Sequence, residues 1–126
     1  MNRKRGFTLI ETTVAVALLA VIVVSILSAF SAATIAATRH QQLTKLDTLT
    51  RSNAEYIKSQ AYSTTGTYTN LTSAGYSFSY QVLNYAAGPP VSFKTTNPDA
   101  GLQEISLTVS GPNSSREQLL FLKEQP

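Results

Sequence analysis

Residues able to do chemistry are few in this chain. His40 is the one histidine and there is no cysteine. A zinc or iron centre needs two or three imidazoles or thiolates converging on one point, so His40, followed by neutral Gln41 and Gln42, reads as a solvated helix residue. The missing cysteines remove disulfides, thiolate metal sites and thiol nucleophiles together. No Ser/His/Asp arrangement, phosphate loop or close carboxylate pair is present, so the sequence does not read as an enzyme and predicts no cofactor. The carboxylate that stands out is Glu11. It lies at the beginning of an otherwise apolar run, and at the centre of a lipid-exposed helix it would cost about 2.5 to 3.5 kcal/mol unless it had a partner. No basic residue of the same helix can serve. At the headgroup level the cost is small, and the charge there complements the positive N-terminal end of a helix.

The elements that would position Glu11 follow from where the breakers fall. After Gly6 there is neither glycine nor proline until Gly66, a gap of 59 residues rich in Ala, Leu, Val and Thr that predicts one very long helix. Its two halves differ. From Thr12 to Thr38 no residue is charged, and the 24 residues Val14 to Ala37 are apolar apart from a few Ser and Thr. Those hydroxyls can bond back to the helix's own carbonyls, and such a run is long enough to cross a hydrocarbon core of ~30 Å. From Arg39 to Tyr62, Leu43, Leu46, Leu49, Ala54, Ile57 and Ala61 follow a period near 3.6, with Asp47–Arg51 and Arg51–Glu55 as i,i+4 pairs. That half predicts a surface helix with one buried face.

The formal charge of +3 belongs to the leader, because Arg3, Lys4 and Arg5 supply it and the seven basic residues after Gly6 balance seven acidic ones. The three basic residues hold that end on the cytoplasmic side and place the remainder outside the cytoplasm. A body without net positive charge offers no surface to neutralise a run of phosphates, so nucleic acid is not an expected direct partner.

Past Gly66 the texture changes to sheet. Tyr76 to Val82, Leu102 to Ser110 and Gln118 to Lys123 alternate apolar with polar or opposite-facing residues and predict three strands. Gly111-Pro112-Asn113-Ser114-Ser115 turns the last two into an antiparallel pair, while Gly88-Pro89-Pro90 and Asn97-Pro98-Asp99-Ala100-Gly101 punctuate a longer connection. About 60 residues without disulfides make a marginal domain, so this sheet must pack on the amphipathic half of the helix. The six tyrosines are expected in its core and rim. The fold class is therefore α+β, a long N-terminal helix packed on a small antiparallel sheet.

Arg5-Gly6-Phe7-Thr8-Leu9-Ile10-Glu11 followed by an uninterrupted apolar run resembles the bacterial type IV pilins and type II secretion pseudopilins. The resemblance covers roughly the first 35 residues, and the helix-then-sheet plan of the rest agrees with it. It implies a leader over residues 1–6, a transmembrane and filament-core helix over 7–38, an amphipathic helix over 39–63 and a sheet domain over 64–126. It implies cleavage between Gly6 and Phe7 by a membrane-embedded prepilin peptidase and N-methylation of Phe7. Glu11 would pair with the terminal amine of a neighbouring subunit and set the stagger between helices. The implied partners are that peptidase, other pilin or pseudopilin subunits, an inner-membrane assembly platform and the lipid bilayer. The implied location is the inner membrane, crossed once, and then a pilus or pseudopilus.

Departures from the family pattern point to a minor subunit. Major subunits usually have proline where Ser28 stands, often a C-terminal disulfide, and in pseudopilins often a calcium site, for which only Asp99 and Glu104 are at hand. Two other readings make different predictions: an exported binding protein cut by signal peptidase near Ser31-Ala32-Ala33, or an uncleaved single-span anchor. The length of the apolar run and Glu11 disfavour the first, and Gly6 with Phe7 the second.

Overall fold

The computed structural model describes residues 6–126 and divides into two units, residues 1–40 and 41–126. The leader residues Arg3, Lys4 and Arg5 lie outside the described residues. Helix α1, Leu9–Ser59, runs through both units and is followed by strands β1 (Ser77–Ala86), β2 (Ser92–Lys94), β3 (Leu102–Ser110) and β4 (Arg116–Glu124).

In the first unit nothing among the described residues packs on α1. Val14, Leu18, Ile22, Leu27 and Ile35 are all more than half exposed, and Phe30 is 69% exposed. By length and composition this helix can cross a membrane, and it carries the apolar surface that such a solvent requires. The hydroxyls fold back as expected: Ser25 Oγ donates to the Val21 carbonyl at 2.7 Å, Ser28 Oγ to Val24 at 2.9 Å and Thr34 Oγ1 to Phe30 at 3.0 Å. These three hydroxyls are thereby satisfied within the helix and need no partner from the surrounding solvent. At Ser28, a proline would instead free the Val24 carbonyl and bend the helix.

In the second unit the four strands form one antiparallel sheet in the order β2-β1-β3-β4. The C-terminal part of α1 lies on one face of it. Leu46, Ala54 and Ile57 from the helix meet Ile105, Leu107 and Val109 from β3 and Phe121 from β4, with Tyr68 closing the core. Tyr76, Phe78, Tyr80 and Val82 of the segment around β1 pack at its margin. The alternation read from the sequence therefore places the tyrosine-rich strand as expected.

Four details differ from expectation. There are four strands, because Ser92–Lys94 forms a three-residue edge strand on Asn84 to Ala86 inside what reads as a connection. The buried face of the helix is narrower than the apolar pattern: Leu43 and Ala61 are exposed, and Thr50 and Asn53 are buried in their place. Both polar residues are satisfied, Thr50 by the Leu46 carbonyl and Asn53 by Asn70 and the Leu71 N–H. Arg51 turns back to Asp47 at 2.9 Å and forms no ion pair with Glu55.

Lastly, the helix stops at Ser59, seven residues before Gly66. The reason is tertiary: Lys123 Nζ of β4 donates to the carbonyls of Ile57, Lys58 and Gln60 at 3.0, 2.8 and 2.7 Å. An ammonium there satisfies orphan carbonyls and complements the negative end of the helix, doing what a C-terminal glycine does elsewhere. Burial pulls the Lys123 ammonium below the ordinary lysine range, and three acceptors hold its charge. Just beyond, Tyr62 donates to Asp99, which also accepts the Gly101 N–H at 3.0 Å, so the chain leaving the helix is tied to the loop before β3. Burial and the Asp99 carboxylate push the Tyr62 phenol far above its ordinary value.

The turn between β3 and β4 closes where the sequence places it, with the Gly111 N–H on the Ser115 carbonyl at 2.8 Å and Asn113 at φ 57°. A Cβ on Gly111 would sit 2.8 Å from the Tyr76 ring, so this glycine is required for space.

Candidate functional site at the helix N-terminus

Gly6, Phe7 and Thr8 precede the helix, and Thr8 is its N-cap. The Thr12 N–H donates to the Thr8 carbonyl at 3.2 Å, the first bond of the ladder. The Glu11 N–H donates to Thr8 Oγ1 at 3.3 Å, and the Thr8 N–H returns to Glu11 Oε2 at 3.5 Å. This reciprocal pair is a capping box, with Thr8 as the cap and Glu11 three residues on. The bonds are long, and both residues are exposed.

The box fixes the Glu11 carboxylate at the positive end of α1, where the helix dipole favours negative charge. One oxygen, Oε2, is engaged with Thr8; among the described residues Oε1 accepts no bond. An exposed carboxylate held by its own backbone, with one oxygen free, can take up a cation brought by another molecule. Thr12 and Thr13 flank it, each donating its hydroxyl to the Leu9 carbonyl, so the surrounding turn presents no competing donor of its own.

The Gly6–Phe7 peptide lies outside the helix, and the Phe7 side chain is 79% exposed. A peptide bond ahead of a helix can enter a peptidase cleft without unwinding the ladder. A Cβ added at Gly6 would meet nothing within 4 Å. Among the described residues, then, the packing around Gly6 does not itself call for a glycine.

Gly6, Phe7 and Glu11 thus fall within one short segment, as their spacing implies. Thr8 is the capping partner of Glu11 that the apolar pattern hides. Its signal is present in the sequence as Thr8-Leu9-Ile10-Glu11, a Thr-x-x-Glu box directly before an apolar run.

Residues 1–27 match the family model described as the prokaryotic N-terminal methylation motif. No curated protein and no solved structure matches the chain. The motif is a prepilin signal of the type IV pilin and pseudopilin kind, and such a signal implies processing by prepilin peptidase and assembly with other pilin subunits. The long helix on a four-stranded antiparallel sheet is a pilin-like α+β architecture. Motif and apolar helix together fit an inner-membrane anchored pilin.

Proposed function

We propose that this chain is a minor pilin or pseudopilin, a structural subunit that enters or primes a type IV pilus or secretion pseudopilus. The observation that carries the reading is the methylation motif at residues 1–27, continuous with a helix whose apolar side chains are exposed. Prepilin peptidase cuts after Gly6, removing residues 1–6 with Arg3, Lys4 and Arg5, and the new amine on Phe7 is methylated. The cut leaves the capping box whole, since Thr8 and Glu11 both follow it.

The chemistry gives Glu11 a reason to act between subunits. The mature ammonium on Phe7 lies beside the positive end of its own helix, where a cation is disfavoured. A carboxylate from a neighbouring copy relieves it, and Glu11 offers a free oxygen. In a low-dielectric bundle such a pair selects one stagger, because a misplaced neighbour leaves a charge unpaired. Residues 7–38 then form the filament core and residues 64–126 its surface, with 39–63 joining them. Ser28 in the place of the usual proline supports the minor assignment, since the helix there keeps its full ladder.

The test is incorporation. Full-length protein expressed in its native host should appear in the sheared filament or pseudopilus fraction only when prepilin peptidase is active. A protein that stays wholly in the membrane fraction whether or not the peptidase is active would contradict a subunit role.

A further inference from the structure

Beyond the helix, the sheet has one edge built for another strand. β4 runs for nine residues paired to β3 without a bulge, from Leu102↔Glu124 to Ser110↔Arg116, and contains no proline. The Gln125 N–H donates to the Gly101 carbonyl and the Gly111 N–H to the Ser115 carbonyl, both at 2.8 Å, so odd-numbered residues of this segment turn their backbone groups toward β3. Pairing alternates along an antiparallel strand. Arg116, Gln118, Leu120, Leu122 and Glu124 therefore turn theirs to the outer edge, where no strand pairs among the described residues. Their side chains lie on the sheet face away from the helix, with Leu120 57% and Leu122 55% exposed.

Monomeric proteins guard such an edge with a proline, a bulge or an inward charge. The first two are absent, and both inward charges of β4 are taken up by the helix, Lys123 by its C-terminal carbonyls and Glu117 beside Asp47 and Arg51. What the edge carries instead is a self-complementary order of residues. Read against itself in antiparallel sense about Leu120, Arg116 falls opposite Glu124, Gln118 opposite Leu122, and Leu120 opposite Leu120. Every one of these opposed residues turns its backbone groups to the edge, so all five pairs are of the hydrogen-bonded kind. Slipping the strands by two residues loses the facing charges and sets Arg116 opposite Leu122.

We propose that β4 is a self-association edge: two copies of this chain pair β4 to β4 antiparallel about Leu120, extending the four-stranded sheet across a two-fold axis. Two Arg116–Glu124 pairs bracket a cluster made by Leu120 and Leu122 of both copies, and the charges fix the alignment that the leucines alone would leave free.

The chain has no cysteine, so single substitutions report this contact without background. Opposed residues of a hydrogen-bonded pair have Cα atoms ~5.5 Å apart, within reach of a disulfide. Full-length Leu120→Cys, oxidised mildly in native membranes from cells with and without prepilin peptidase, should form a disulfide-linked dimer in both. Arg116→Cys should not cross-link to itself, since eight residues along the strands separate the two sites by ~27 Å. Differently tagged Arg116→Cys and Glu124→Cys copies should cross-link to each other. Adding Arg116→Glu to Leu120→Cys should lower the dimer yield several-fold, and Arg116→Glu with Glu124→Arg should restore it. No Leu120→Cys dimer, an adduct formed solely with a different protein, or Arg116→Cys cross-linking as readily to itself would each overturn the proposal. Because Leu120 is exposed and the peptidase-free arm is included, failure here is separable from failure of the filament assignment.

Discussion

Glu11 can serve its own helix or a neighbour's terminus, and substitution separates the two. Glutamine keeps the capping box but removes the charge, whereas Thr8→Ala removes the cap, at about 1 kcal/mol, and keeps the charge. If Glu11 pairs with a neighbour's amine, Glu11→Gln and Glu11→Ala should both be processed normally and both be depleted from filaments, with Thr8→Ala close to wild type. Quantifying each variant in the sheared fraction against the membrane fraction decides it, and depletion of Thr8→Ala and Glu11→Ala with Glu11→Gln at the wild-type level would assign Glu11 to the cap. The sequence singles out Glu11 because an acid beside a long apolar run is costly. Its local partner was legible too, in the Thr-x-x-Glu spacing, but a search for apolar periodicity passes over it. Gly6 is the converse case: the structure gives it no packing role, so its meaning comes from the motif around it.

At the scale of elements, the helix and the long strands follow from local pattern, and what the pattern misses is tertiary. The C-terminus of α1 carries no glycine, and the lysine that ends it lies 63 to 66 residues away in sequence. No local signal announces such a cap. Lys123→Met, which keeps the stem but leaves three carbonyls unsatisfied, should lower stability by about 2 to 3 kcal/mol in denaturation of the detergent-solubilised full chain followed by tyrosine fluorescence. β2 was equally hidden, because three residues cannot show a period of two. A second consequence of packing lies where β4 meets the helix. Burial, and then the nearby Asp47 carboxylate, raise the Glu117 carboxyl above its ordinary value, against the opposing pull of Arg51. A carboxylate raised on folding binds more protons in the native state, so stability should rise as pH falls from neutrality through the range just above the ordinary carboxylate value. Thermal unfolding at pH 7 and pH 5 should show that gain, and Glu117→Gln should diminish it.

For the whole molecule, the two units ask for different solvents. Residues 41–126 bury a core of ordinary character, while the helix of residues 9–40 exposes Val, Leu, Ile and Phe along its length. Composition averages these away, giving 43% apolar residues overall, whereas the 59-residue gap between Gly6 and Gly66 exposes the division at once. In the proposed function, the same apolar surface serves a bilayer first and, once the basic leader is removed, the helices of neighbouring subunits. Everything in that account turns on one cut. The decisive measurement is the intact mass and N-terminal sequence of the membrane-extracted protein made in its native host. A chain beginning at Phe7 and carrying one additional methyl group is the expected result. A chain beginning at Met1, or one beginning between Ser31 and Thr38, would contradict it, the former leaving an ordinary anchor and the latter an exported domain without a filament helix.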